Sequence, residues 1–253
     1  MSFITYNGKN VWYEELGSGK PLVLLHGNTA SSNMFGGIAE KFADNHRVIL
    51  IDFLGHGRSD RLNSFPADLW YDEAMQVTAL LRQKQYKGAD VIGCSGGALV
   101  AINAALEAPE CIGKVVADSF EGERALPAFT QNIAAERAAS KLAAGAVAFY
   151  KAMQGDEWES VVDNDTDAIV RHSREIGAFF HKPLNALGAD ILLTGSLEDE
   201  FGSALCPDYF EKTYKGMLDK IGHGSMHLFE HGAHPAMLSN QAEFLLLCEQ
   251  FLL

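Results

Sequence analysis

The chain has 253 residues, 47% of them hydrophobic, with a formal net charge of −13. That length buries a core without disulfide or metal staples, and the acidic balance speaks against nucleic acid or an anionic membrane as partner, since both need a basic footprint. No run approaches the roughly 20 apolar residues of a membrane span, and the four cysteines are scattered without a CxxC pair, so a reducing, cytoplasmic setting is expected.

In chain order, the N-terminal MSFITYNGKN lacks the basic and apolar regions of a signal peptide. FITYNGKNVWYEE reads as two β runs around Asn7-Gly8, a hairpin signal. PLVLLHG is an apolar run stopped by glycine, as in a strand buried on both faces. A helix is expected from Ser32 to Ala43, then the strand RVILIDF and its loop GHGRSD. ADLWYDEAMQVTALLRQ carries apolar residues at helical spacing: Leu69, Tyr71, Ala74, Val77, Leu80 and Leu81. ADVIGC reads as a strand, SGGALVAINAALEAPE as a helix and KVVADSF as the next strand. From 119 to 187 only helix-like text appears, including ERALPAFTQNIAAERAASKLAAGAVAFYKAM and TDAIVRHSREIGAFF. Strands return at ADILLTG and GSMHLFE, separated by the helical CPDYFEKTYKGMLDKI and followed by the closing helix QAEFLLLCEQFLL. Alternating strands and helices predict an α/β fold with a mostly parallel sheet and helices on both faces. Residues 119–187 then form an insertion at a strand's carboxyl end, the side where open parallel sheets bind ligands.

Gly93-Cys94-Ser95-Gly96-Gly97 fits G-x-S-x-G, placed between a strand and a helix as a nucleophile elbow requires. Glycines let strand and helix approach closely, and the helix N-terminus favours developing negative charge. A serine hydroxyl needs a base, and the base needs a group to orient it. In this class of site the order is Ser, Asp or Glu, His. Downstream, ILLTGSLEDEF ends a strand with Glu198, Asp199 and Glu200, and HLFEHGAHPAML ends the last strand with His231 and His234.

These motifs resemble the α/β-hydrolase superfamily over nearly the whole chain: LLHGNTAS after the third strand, IDFLGHGRSD after the fourth, GCSGG after the fifth, TGSLEDEF after the seventh and EHGAHPAML after the eighth. The resemblance implies an eight-stranded core from 1–118 and 188–253 with a helical lid at 119–187. It places the nucleophile on Ser95, the acid on Asp199 and the base on His234. The acid motif carries one extra residue, which leaves Glu198 as an alternative. Asp118 ends the sixth strand, where some family members place the acid, and His231 is the alternative base. Backbone amides of Asn28 and Gly96 would form the oxyanion hole. Thr29, Asp118, Phe120 and Trp158 are expected around the substrate, with Phe179 and Phe180 either stapling the lid or walling a pocket. The acidic run DEWESVVDNDTD reads as a solvated lid face or helix cap. Cys94 reads as structural, and His26, His56 and Asp52 as family structure rather than a metal site.

The expected activity is serine hydrolysis of a carboxylic ester or related acyl bond of a small molecule, with no cofactor and no metal. Carbon–carbon-bond hydrolases and cofactor-free haloperoxidase-like enzymes use the same three residues and stay open as alternatives. So does a small-molecule receptor with slow turnover. A weaker resemblance, to amino-acid-ester hydrolases of the biphenyl-hydrolase-like group, would give Asp118 or Glu121 an α-amino group to bind. A homodimer stays open as well.

Overall fold

Asn7 and Gly8 both take positive φ (50° and 76°) and close a hairpin between strands β1 (Ser2–Tyr6) and β2 (Lys9–Gly17), the turn an Asn-Gly pair favours. Six further strands complete one sheet in the computed structural model, which describes residues 2–206 and 208–253. They are β3 (Lys20–Leu25), β4 (His46–Asp52), β5 (Ala89–Cys94), β6 (Ile112–Asp118), β7 (Asp190–Ser196) and β8 (Ser225–Phe229). The spatial order is β1-β2-β4-β3-β5-β6-β7-β8. β2 is antiparallel to β1 and β4, and every pair from β4 to β8 is parallel.

Alternation along β3 builds the two cores. Val23 and Leu25 point into one apolar cluster, Leu22 and Leu24 into the other, because successive side chains leave opposite faces of a strand. Helices α1 (Ile38–Ala43), α2 (Leu69–Gln83) and α3 (Gly96–Glu107) flank the first half of the sheet. The insertion carries α4 (Pro127–Thr130), α5 (Ile133–Ser140), α6 (Ala144–Gln154) and α7 (Trp158–Glu175). Then come α8 (Glu200–Ser203), α9 (Tyr209–Ile221), α10 (Ala236–Ser239) and α11 (Gln241–Leu252). Pro207, within the expected helical CPDYF stretch, lies outside the described residues, as does Met1. Among the described residues no helix is long and apolar enough to cross a membrane.

Three local expectations are corrected. The helix expected over Ser32–Ala43 breaks at Gly36-Gly37, where Gly37 takes φ 80°, into a short 3-10 turn (Ser32–Phe35) and α1. Tyr71 lies off the buried stripe of α2 and stacks on His181 at 3.9 Å, while Trp70 beside it is buried. The acidic run is not wholly solvated. In α7 the buried positions are Trp158, Val161, Val162, Asp165, Ala168, Ile169 and His172, so Asp165 occupies a core position of an amphipathic helix.

Space at the turn from β5 to α3 is the tightest local constraint. A Cβ on Gly93 would collide with the carbonyl of Gly97, and one on Gly97 with the carbonyls of Leu25 and His26. Gly97→Ala is therefore expected to lower the unfolding free energy by about 1–3 kcal/mol, the range for overpacking, read as a lower urea midpoint at unchanged slope. An unchanged midpoint would show that β3 and α3 can part at no cost.

Candidate active site

β5 delivers Ser95 to the carboxyl edge of the sheet, and α3 begins at the next residue. Ser95 itself takes φ 55° and ψ −125°, a conformation that costs on the order of 1–3 kcal/mol in a non-glycine residue. Its N–H donates to the Asp118 carbonyl at 2.8 Å and its carbonyl accepts from Ala98 at 3.0 Å, which holds the turn in place. The Gly96 amide starts the helix, where N–H groups have no intrahelical acceptor.

Asp199 is fully buried at the start of α8. Oδ1 accepts from the amides of Phe201 (2.9 Å) and Gly202 (3.4 Å), and Oδ2 lies 2.8 Å from His234 Nδ1. A carboxylate there assigns the ring proton to Nδ1 and leaves Nε2 as an acceptor. His234 lines the same cavity as Ser95. No hydrogen bond joins the two among the described residues, a looseness common before substrate binds. The Phe201 ring meets His234 edge-on at 4.9 Å. The loop after His234 is tied to the end of β6: Ala236 N–H donates to Ser119 Oγ at 2.9 Å and Met237 N–H to Asp118 Oδ2 at 2.9 Å.

The alternative acids and base lie elsewhere. Glu198 pairs with His231 at 3.1 Å on side chains that are 60% and 79% exposed. Asp118 is fully buried and does not line the cavity, so its expected place beside the substrate is corrected. It accepts from Thr194 Oγ1 at 2.7 Å as well as from Met237, and burial raises its pKa to about 6 against those bonds and the charge of His234.

Opposite Ser95 lies the loop after β3. Gly27 packs so close that a Cβ would sit 3.1 Å from Ser95 Cβ. Residues 27–30 form a turn closed by Ala30 N–H to the Gly27 carbonyl at 3.2 Å, with Thr29 at φ 57°. Positive φ on a β-branched residue is an outlier that its surroundings must maintain. The Asn28 side chain is held at both ends. Its Nδ2 donates to Asp165 Oδ2 at 2.8 Å, and its Oδ1 accepts from the Trp70 indole at 3.2 Å. Gln154 Nε2 donates to the carbonyls of Thr29 (2.9 Å) and Ala30 (2.8 Å), and Arg137 donates to Thr29 Oγ1 at 3.0 Å. Sequence reading missed Asp165, Gln154 and Arg137. Only Asp165 left a signal, a carboxylate on the apolar stripe of α7.

The cavity over Ser95 holds about 430 Å³. Thr29 and Phe120 line it, together with Phe129, Ile133, Phe149, Ile169 and Leu238. Trp158 does not: it stacks on Tyr150 at 5.7 Å and packs against Val162 within the insertion, so its expected role in the pocket is corrected. Phe179 is a staple, buried edge-on against Trp70 at 4.9 Å. Besides His234, the ionisable side chains of Arg137 and Glu121 reach the cavity. Arg137 stands 3.8 Å from Asp165, whereas Glu121 has no cationic partner among the described residues. Burial raises the Glu121 pKa to about 7, against one hydrogen bond from the Leu126 amide. Burial also pushes the Asp165 carboxyl up, opposed by Arg137 and Asn28. Cys94 is buried and its thiol pushed up by desolvation. His26 is spent internally, Nε2 accepting from Phe53 N–H and Nδ1 facing the Gly27 carbonyl. Among the described residues, no group of three or more His, Cys, Asp or Glu is gathered to hold a metal.

Comparison with known proteins agrees with this architecture. The pimeloyl-[acyl-carrier protein] methyl ester esterase of Nitrosomonas europaea is 32% identical over 107 residues, which are 42% of this chain and 40% of that protein. The matched stretch thus spans about two fifths of the length of that curated relative. Among solved structures, an esterase from Exiguobacterium antarcticum superposes with a TM-score of 0.77 at 17% identity, covering 99% of this chain and 98% of that one. A meta-cleavage product hydrolase from Pseudomonas fluorescens gives 0.71 at 18% identity over 100% and 97%. Likeness at such identities speaks to fold alone. The family model for the alpha/beta hydrolase fold matches residues 20–150, more than half of the chain, and with the eight-stranded sheet and its elbow this makes the protein a member of the α/β-hydrolase fold family.

Proposed function

We propose that the protein is a serine hydrolase that cleaves a carboxylic ester or related acyl bond of a small molecule. The observation that carries this reading is the 2.8 Å contact of Asp199 Oδ2 with His234 Nδ1, on a ring that shares one cavity with the strained Ser95. In this reading Ser95 Oγ attacks the substrate carbonyl while His234 Nε2 takes its proton. The amides of Asn28 and Gly96 hold the oxyanion, aided by the N-terminus of α3. His234 gives the proton to the leaving alcohol, and water then repeats the sequence on the acyl-enzyme. Asp199 keeps His234 in the required tautomer and stabilises the imidazolium. The relative named as a methyl ester esterase supports an ester as the scissile bond.

The insertion acts as a lid that supplies much of the apolar wall, which suits an uncharged acyl or alcohol group. The charge of Arg137 is offset by Asp165, and Glu121 stands without a counter-charge. The cavity therefore accepts neutral or cationic groups and rejects anionic ones, whose burial without a partner is costly.

Three measurements test this reading. Wild-type protein is expected to react with a fluorophosphonate probe and to hydrolyse short p-nitrophenyl esters. Ser95→Ala should remove the labelling, and Ser95→Ala and His234→Ala should each cut kcat by about 10⁴-fold or more. Labelling that survives Ser95→Ala overturns the assignment, and single-turnover behaviour across a broad ester panel favours a receptor instead.

A p-nitrophenyl ester with a terminal carboxylate is expected to show kcat/KM at least about 10-fold below its uncharged counterpart, since one unpaired buried charge costs more than 1.4 kcal/mol. Equal rates would remove the charge argument.

The third test reads stability against pH. Glu121 is raised in the folded state from 4.5 to about 7, so the native protein binds the proton more tightly than the unfolded chain. Its contribution is full below about pH 4.5 and is lost as pH rises towards 7. Relative to Glu121→Gln, wild type should lose on the order of 2 kcal/mol across that window, followed by urea unfolding at several pH values. Parallel stability curves for the two proteins would count against the shift.

A further inference from the structure

Two residues of the insertion, Gln154 and Asp165, carry more than lid packing requires. Both are buried, at 2% and 0% exposure, and neither lines the cavity, so they cannot touch a substrate held over Ser95. Each sends a side-chain polar atom to the loop facing Ser95. Gln154 Nε2 donates to two consecutive carbonyls, Thr29 and Ala30, while its Oε1 accepts from Gly57 N–H at 2.7 Å. Asp165 receives the Asn28 side-chain amide. The loop needs such holding, because Thr29 stands at φ 57° with a branched Cβ. From the core, the turn has the Ala30–Gly27 bond, the Trp70 indole on Asn28 and the His26 ring against the Gly27 carbonyl, none of which reaches the Thr29 or Ala30 carbonyl.

We propose that Gln154 and Asp165 are positioning residues for the oxyanion loop. They clamp the Asn28 side chain and the carbonyls of the two residues that follow it, and so fix where the Asn28 N–H points. This rests on the ester-hydrolase reading above. An oxyanion donor works only when preorganised at hydrogen-bond distance from where the charge develops, and a misplacement of about 1 Å costs on the order of 100-fold in rate. The donor loop belongs to the core, yet its conformation is held from the insertion. Variation in α6 and α7 would then change the rate of the chemical step as well as the shape of the pocket.

The test compares Gln154→Met, Asp165→Leu and Asp165→Asn with wild type. It uses a p-nitrophenyl ester as substrate and a trifluoromethyl ketone of matching chain length as the tetrahedral oxyanion mimic. Expected for Gln154→Met and Asp165→Leu is a 10- to 100-fold fall in kcat with KM within about threefold, and a Ki for the ketone that rises by the same factor as kcat/KM falls. Asp165→Asn keeps an oxygen acceptor for Asn28 Nδ2 and should retain kcat within about fivefold. A merely structural role would lower the melting temperature without moving kcat and Ki together. Folded variants with kcat within twofold of wild type overturn the proposal. So does a kcat loss with unchanged Ki, or an Asp165→Asn as impaired as Asp165→Leu. If Asp165→Leu does not fold, Gln154→Met decides by the same criteria. Failure of the hydrolase reading shows separately and earlier, as wild-type protein inert towards both fluorophosphonate and esters.

Discussion

The close approach of three backbones at the end of β5 is the constraint on which the site depends. Strand β5 must turn into α3 within one residue, while the end of β3 passes directly alongside. Gly93 faces Gly97, Gly97 faces the carbonyls of Leu25 and His26, and Gly96 sits under the Asn28 side chain and the Trp70 indole. A side chain at any of the three would force the elements apart. The reward for this crowding is geometric. Ser95 is held at φ 55° on the wall of the cavity, with the start of α3 on one side of it and the Gly27 backbone close against the other. Conformational strain at Ser95 and at Thr29 is tolerated because packing and hydrogen bonds from several elements leave no relaxed alternative.

Electrostatics then separates carboxylates that look interchangeable in the sequence. Asp118, Glu198 and Asp199 all stand at strand ends in the required region, yet their environments differ. Glu198 is in solvent with His231. Asp118 lies beneath the site and spends its oxygens on Thr194 and the Met237 amide. Asp199 has one oxygen satisfied by backbone amides and the other turned to the ring of His234. Only this last arrangement suits the acid role proposed for it, since it alone turns a buried carboxylate oxygen to the Nδ1 of the proposed base. Asp118 keeps a supporting place, because its bond to Met237 anchors the stretch that follows His234.

The insertion shows how a helix can serve packing and the site at once. Along α7 the buried stripe from Trp158 to His172 is apolar except for Asp165 and His172, and Asp165, its one carboxylate, reaches the loop facing Ser95. A buried carboxylate beside Glu73, itself pushed well above the usual carboxylate range by burial, is an unfavourable choice for stability alone. Departures from the local packing rule of this kind cluster where function constrains the fold. The proposed clamp gives the departure a purpose.

How much was legible in the chain follows from the range of each interaction. Hairpin, strands and elbow are written in neighbours: Asn7-Gly8, the apolar runs, and the glycines around Ser95 act over a few residues, so the sequence by itself determined the sheet, the strand ends and the serine's setting. The order of Asp199 and His234 along the chain was equally readable. Which acidic residue meets His234, that Trp158 packs inside the insertion while Phe120 lines the cavity, and that Asp165, Gln154 and Arg137 converge on Asn28 and Thr29 were decided only by the tertiary structure. The hydrogen bonds among these contacts join residues 35 to 137 positions apart. Helical periodicity marks a buried face but does not say which loop that face will meet.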